Sequence, residues 1–253
     1  MTRPLPANRT RIKICGLTRE ADVDAAVAAG ADAIGFVMYE ASARHVTLER
    51  AAALASRLPP FVTPVLLFVN ALTTEVIAAC ARIPCATVQF HGDETPAACL
   101  AIGRPFLRAA RIPLDESEVP LDLPRPGEAS PARIARFDLL KYAHDYSAAQ
   151  AILLDANVEG FGGGGKTFNW SLLPPSVNAH LVLSGGLTPA NVTDGVLQVR
   201  PRCTTLAVDV SSGVEISKGI KSADKINQFV AAVRAADEQL AKNFHTHVRL
   251  SPT

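Results

Sequence analysis

The sequence predicts an α/β protein, a single (β/α)8 TIM barrel of parallel strands, and three observations carry that expectation. Short apolar or β-branched runs alternate with longer helical stretches along the chain. The 253 residues match the usual length of one such barrel. Unusual residues fall directly after the apolar runs: Cys15, Asp155, Ser184-Gly185-Gly186, and Asp209 onward to Gly213. The carboxyl ends of parallel barrel strands share one rim, so residues distant in sequence converge there on one pocket.

Each element follows from local pattern. Ile12 to Cys15 reads as the first strand, and Arg19 to Ala29 as a helix of good formers stopped by Gly30. Ala33 to Met38 is the second strand; helix Leu48 to Leu58 ends at Pro59-Pro60. Thr63 to Val69 is the third strand, followed by a helix from Thr73 to Ala81 that a threonine is expected to cap. Ala86 to Phe90 is the fourth. Thr95 to Ile102 is a helix with Pro96 in its first turn, and Phe106 to Arg111 is the fifth strand. Prolines 113, 120, 124, 126 and 131 mark an irregular excursion, with a helix expected from about Pro131. Ala151 to Leu154, Leu181 to Leu183 and Thr204 to Val208 complete eight strands, with a helix from Pro189 to Val199 between the last two. A final helix from Ser222 to about Leu240 places Ile226, Phe229, Val230 and Val233 at helical spacing. The expected organisation is a leader at 1–10, the barrel at 11–241 and a flexible tail at 242–253.

Composition narrows the function. Hydrophobic residues at 48% and charged residues at 19% are enough for a large buried core. A net charge of +1 supplies no field for nucleic acid or an anionic membrane, so neither is an expected partner. Met1 to Arg11 lacks the apolar segment of a signal peptide and no run is long enough to span a bilayer; a cytoplasmic protein is expected. The five cysteines are an odd number without metal-ligand spacing, which fits reduced thiols and no metal site.

Two glycine turns suggest the substrate class. Ser184-Gly185-Gly186-Leu187 and Ser211-Ser212-Gly213 follow strands seven and eight, where barrel loops commonly hold phosphate on backbone N–H groups. The four glycines from Gly162 to Gly165, Gly163 among them, form a loop that either covers a ligand or merely links elements. Cys15, between Lys13 and Gly16, is placed to remove a carbon-bound proton as a thiolate if nearby charge tunes it; otherwise it is a small core residue. Asp155, expected across the pocket, would pair with it as an acid, or else serve as a turn residue. Arg44 either clamps a substrate carboxylate through its planar fork or is a solvated surface charge. Gln89 and His91 flank Phe90 and point away from it, so both would line the rim; a satisfied structural histidine is the other reading.

With these residues in place, the chain resembles the phosphoribosylanthranilate isomerase family over most of residues 11 to 232. The resemblance rests on Lys-Ile-Cys-Gly-Leu-Thr at 13–18, Val-Gln-Phe-His-Gly at 88–92, Leu-Leu-Asp at 153–155, Ser-Gly-Gly-Leu at 184–187 and Val-Asp-Val-Ser-Ser-Gly-Val-Glu at 208–215. It implies an Amadori rearrangement of a small phosphosugar carrying anthranilate, without cofactor or metal, by a monomer or homodimer. It further implies Asp155 as general acid on the furanose ring oxygen, Cys15 as general base at sugar C2, Arg44 on the anthranilate carboxylate and Asp209 orienting substrate. The turns after strands seven and eight would bind phosphate.

The chain departs from the family pattern at Gly164, where threonine is usual, at Asn169, where aspartate is usual, and at Lys218 and Ser222 around a retained Gly219-Ile220-Lys221. Among other barrel enzymes, indole-glycerol-phosphate synthase relies on lysine and glutamate at strand ends, where this chain has Cys15, and a phosphosugar epimerase would need metal-binding side chains there. A non-catalytic phosphosugar-binding barrel needs the phosphate turns but not the pair of Cys15 and Asp155.

Overall fold

The computed structural model describes residues 9–114, 137–156 and 167–249, with side chains to residue 243. Eight parallel strands close into a barrel in sequence order: β1 (Arg11–Cys15), β2 (Ala33–Val37), β3 (Thr63–Phe68), β4 (Thr87–Phe90), β5 (Phe106–Ile112), β6 (Ala151–Ala156), β7 (Val177–Leu183) and β8 (Cys203–Val210). Closure joins β8 to β1, with Lys13 opposite Asp209 in register. The helices are α1 (Glu20–Ala28), α2 (Leu48–Ala55), α3 (Thr73–Arg82), α4 (Pro96–Leu100), α5 (Leu139–Asp145), α6 (Val192–Val199) and α7 (Ala223–Arg249).

Strand alternation divides the apolar residues between two layers. On β1, Ile12 and Ile14 are wholly buried in the large core between barrel and helices, together with Phe36 of β2 and Phe229 of α7. The opposite face of each strand fills the barrel: Ala109, Ala151, Leu153 and Val182 form one interior cluster, and Cys15, Val37, Leu67 and Val69 a second one. Helix α7 supplies Ile226, Phe229, Val233 and Ala236 to the outer core. Each large apolar side chain buried in this way contributes about 1.5–3 kcal/mol. Asp237 of α7 accepts from Thr10 N and Oγ1, and Arg234 donates to Thr10 O, fastening the last helix to the start of β1.

Several local expectations change. Thr73 is the first residue of α3 and not its cap; Leu72 precedes the helix, and the Glu75 carboxylate accepts from the Leu72 N–H. Thr47 and Thr95 do cap α2 and α4. Strand β7 starts at Val177, and α6 starts at Val192 because the Asn191 amide accepts from Thr188 N and donates to Gly186 O, holding the preceding turn. Helix α7 runs on to Arg249, past the expected end near Leu240. A short hairpin, β9 (Glu215–Ser217) with β10 (Ile220–Lys221), follows β8 and was not foreseen. Residues 115–136, which hold most of the proline-rich excursion, and the glycine loop with Gly163 and Gly164 lie outside the described residues.

Candidate active site

The first strand places its alternate residues Lys13 and Cys15 inside the barrel, both almost fully buried. Room for them comes from β2: a Cβ on Gly35 would lie 2.6 Å from Cys15 Sγ and 3.1 Å from Lys13 Nζ. Lys13 Nζ is 2.9 Å from Asp209 Oδ1 on β8, and Ser184 Oγ donates to Asp209 Oδ2 at 3.3 Å. Burial pushes the Cys15 thiol above the ordinary thiol range, and the Lys13 ammonium pulls against that shift through charge and a hydrogen bond. Burial works against the Lys13 ammonium too, yet Asp209 and Cys15 together hold it above the ordinary lysine range.

Asp155, at the end of β6, shares the cavity with Cys15. Its Oδ2 lies 2.9 Å from His91 Nε2, and His91 Nδ1 lies 3.0 Å from Gln89 Nε2. An amide nitrogen only donates, so this arrangement has Gln89 donating to Nδ1 and His91 donating from Nε2 to Asp155. Gly185 allows the turn after β7 to close over Asp155: a Cβ there would lie 2.7 Å from Asp155 Oδ1. Gly185 and Gly186 both adopt positive φ, +76° and +63°, which few other residues tolerate.

Arg44, in the segment after β2, reaches across Gly16 to the hairpin beyond β8. Its Nε and Nη2 each donate at 2.8 Å to the two oxygens of Glu215. Glu215 Oε1 also accepts from Lys221 Nζ at 2.8 Å, and that ammonium further donates to Ser211 O and Oγ. Although burial alone would raise it, the hydrogen bonds and charges of Arg44 and Lys221 hold the Glu215 carboxyl below its ordinary range. Burial in turn brings Lys221 below the ordinary lysine range despite Glu215. Glu215 occupies one edge of the Arg44 fork; the remaining guanidinium N–H groups are left for an anion in the cavity that Arg44 lines.

The cavity encloses about 700 Å³ including its open mouth. One wall is apolar, formed by Val37, Leu67 and Val69 beside Cys15, with Tyr39 packed against them. The opposite wall carries Gly185, Gly186, Ser211 and Ser212. The hydrogen bonds of the described residues leave the Gly185 and Gly186 N–H groups without a protein acceptor, as a phosphate-binding turn requires. One site thus offers an apolar wall for a ring, an arginine for a carboxylate, free N–H groups for a phosphate, and a thiol and a carboxyl group between them.

Nine sequence-predicted residues meet in this cavity: Cys15, Arg44, His91, Asp155, Gly185, Gly186, Asp209, Ser211 and Ser212. Two do not. Gln89 is fully buried behind His91, one layer deeper in the barrel, and does not reach the rim. Gly213 packs against the Leu187 backbone, where a Cβ would fall 1.9 Å from Leu187 O, so it lets the two turns approach each other and lines no part of the cavity. The sequence reading missed Glu215 and Lys221, whose only signal was their place in the Val-Glu and Gly-Ile-Lys patterns, and gave Lys13 no role beyond its position. At the family departures, Asn169 Oδ1 accepts from Ser171 N and Oγ and so caps the turn Trp170–Leu172 without a carboxylate, while Ser222 Oγ accepts from Lys225 N at the start of α7.

A family model described as N-(5'phosphoribosyl)anthranilate (PRA) isomerase matches residues 12–121 and 131–232. The chain is 62% identical over 233 residues to the N-(5'-phosphoribosyl)anthranilate isomerase of Methylibium petroleiphilum, covering 92% of this chain and 98% of that one. It is 62% identical over 229 residues to that of Leptothrix cholodnii, covering 90% and 93%. Among solved structures it is similar to a phosphoribosyl anthranilate isomerase in complex with reduced 1-(o-carboxyphenylamino)-1-deoxyribulose 5-phosphate, at a TM-score of 0.70 and 33% identity, covering 89% of this chain and 99% of that one. The enzyme from Thermotoga maritima gives 0.71 and 35% with the same coverage.

Proposed function

The chain belongs to the N-(5'-phosphoribosyl)anthranilate isomerase family, and from that premise we infer which of its side chains carry the reaction. The reaction is the Amadori rearrangement of N-(5-phosphoribosyl)anthranilate to 1-(o-carboxyphenylamino)-1-deoxyribulose 5-phosphate, a step of tryptophan biosynthesis. Asp155 gives a proton to the furanose ring oxygen as the C1–O bond breaks, which leaves a Schiff base between C1 and the anthranilate nitrogen. Cys15, as thiolate, then removes the C2 proton; the electron pair moves into C1–C2 and the enolamine tautomerises to the ketone.

Arg44 takes the anthranilate carboxylate against the apolar wall of Val37, Leu67 and Val69, and the turns at Gly185–Gly186 and Ser211–Ser212 take the phosphate. Asp209 orients substrate only from the floor, since Lys13 and Ser184 occupy its carboxylate. Gly163, outside the described residues, is proposed as a further substrate-binding position. The observation that supports this reading best is that Cys15 and Asp155, distant in sequence, face one cavity together with Arg44 and both glycine turns.

The test is the decay of anthranilate fluorescence with freshly generated substrate, comparing the parent with folded Cys15→Ala and Asp155→Ala variants. Rapid decay in the parent and near loss in both variants is the expected result. An active Cys15→Ala protein would remove the thiol from the mechanism. No helix among the described residues is long and apolar enough to cross a membrane, and a cytoplasmic location is part of this proposal. A Thermotoga maritima relative is described as dimeric; this chain is proposed to act as a monomer or homodimer, which light scattering decides.

A further inference from the structure

The base proposed above has a difficulty: its thiol lies in a buried site, and desolvation favours the protonated form, which cannot accept a proton. A compensating cation must lie within reach of the sulfur and still have N–H groups to give it. Among the described residues, three cations surround Cys15. Arg44 gives Nε and Nη2 to Glu215 and, in the proposed function, keeps its remaining N–H groups for the substrate carboxylate, while the Lys221 ammonium already donates to Ser211 O, Ser211 Oγ and Glu215 Oε1, three acceptors for three N–H groups. Among the described residues Lys13 Nζ has a single oxygen acceptor, Asp209 Oδ1 at 2.9 Å, and the space above Gly35 brings it and the Cys15 sulfur together.

We propose that Lys13 is the positioning residue that makes Cys15 a base: its buried ammonium, fixed by Asp209 across the β1–β8 seam, holds the thiolate by charge and hydrogen bonding. The proposal rests on Cys15 being the base. Lys13 is not among the residues that line the cavity; it acts from below, through the Cys15 sulfur. Asp209 then has two opposed effects, keeping Lys13 in place while its own negative charge disfavours a second anion nearby.

Those opposed signs give a test that simple structural damage does not reproduce. Alkylation of Cys15 by iodoacetamide, followed across pH by mass analysis of the peptide carrying it, reports the thiolate without any substrate. Lys13→Gln is expected to slow alkylation at pH 8 at least tenfold and to move the midpoint upward. Lys13→Arg is expected to restore most of the parent rate, whereas Asp209→Asn, whose amide oxygen can still accept from Lys13 Nζ, removes only the negative charge and moves the midpoint downward. The acid limb of kcat/KM should follow the alkylation midpoint, so that activity lost in Lys13→Gln at pH 7 is partly recovered at higher pH. If Lys13→Gln does not fold, Lys13→Gln/Asp209→Asn removes both charges together, and the upward shift is still expected because the lysine acts on the sulfur more strongly than the aspartate and by a hydrogen bond as well. An unmoved midpoint in the folded single or double variant, or shifts of the same direction in Lys13→Gln and Asp209→Asn, overturns the proposal. An active Cys15→Ala protein would instead refute the reading beneath it, while the alkylation result would still report on Lys13.

Discussion

Arg44 and Glu215 come from opposite ends of the chain and meet in a two-pronged ion pair, Nε to Oε1 and Nη2 to Oε2, both at 2.8 Å. Glu215 fixes the plane of the guanidinium and so decides where its remaining N–H groups point. Glu215→Gln keeps the size of the side chain but replaces one acceptor oxygen by a donor NH2 and removes the negative charge from the hydrogen bonds of Arg44 and Lys221, each of which typically contributes about 1.5–3 kcal/mol. The expected result is a KM raised by about tenfold or more with kcat within a few-fold of the parent, because the lost contact orients a part of the substrate remote from the reacting atoms. Steady-state fluorescence kinetics checks it; an equal fall in kcat would place Glu215 in the chemical step instead.

Gln89 was expected on the rim and sits beneath it, donating to His91 Nδ1 while His91 Nε2 faces Asp155. A residue that holds a histidine tautomer should affect the proton donor and not substrate affinity. Gln89→Leu is therefore expected to lower kcat by about 3–30-fold, less than removal of the acid itself, with KM nearly unchanged. A raised KM at constant kcat would restore the original reading of Gln89 as a binding residue.

The strands were legible because each is an apolar or β-branched run bounded by turn residues, and the rim residues because they follow those runs directly. Where β7 starts was not legible: Val177-Asn178-Ala179-His180 interrupts its apolar residues with exposed Asn178 and His180, and its pairing with β8 is irregular, so no hydrophobic run announces it. The charge network was hidden for a different reason. Lys13 meets Asp209 across 196 positions and Arg44 meets Glu215 across 171, and no local pattern identifies which of 25 basic residues will be buried against which carboxylate. Gln89 and His91 share an inward direction that alternation gives, but not the depth that separates a floor residue from a wall residue.

Two structural thiols set a pH limit on stability. Burial pushes both Cys99 and Cys203 up to about 11. In the unfolded chain these thiols ionise near their ordinary range of about 8.5, so between roughly pH 9 and 11 the unfolded state binds fewer protons than the folded one. Stability is therefore complete below the unfolded value and falls as pH rises through this window, by about 2–3 kcal/mol for each thiol. The melting temperature should decline from pH 9 to 11, and Cys99→Ala with Cys203→Ala should flatten that decline even if the double variant is less stable at pH 7. An unchanged slope in the double variant would assign the loss to other groups.

Gly35 provides the last prediction, because its missing side chain is what lets the floor of the site exist. A methyl group there would lie 2.6 Å from Cys15 Sγ and 3.0 Å from Cys15 Cα, so rotation of the thiol alone cannot relieve the overlap: β1 or β2 must move. Overpacking of this kind costs about 1–3 kcal/mol in a well-packed interior. A displacement of a few tenths of an ångström at the sulfur also spoils the alignment with the C2 proton, so Gly35→Ala should lose activity well beyond its loss of stability, about 100-fold in kcat. Gly30→Ala is the control: unlike Gly35, that glycine has a positive φ, so some backbone strain is expected, but a Cβ there meets nothing within 4 Å. Kinetics and thermal melts of the two variants separate the cases. Equal and small effects of Gly35→Ala and Gly30→Ala on kcat would show that the thiol does not depend on the space above β2.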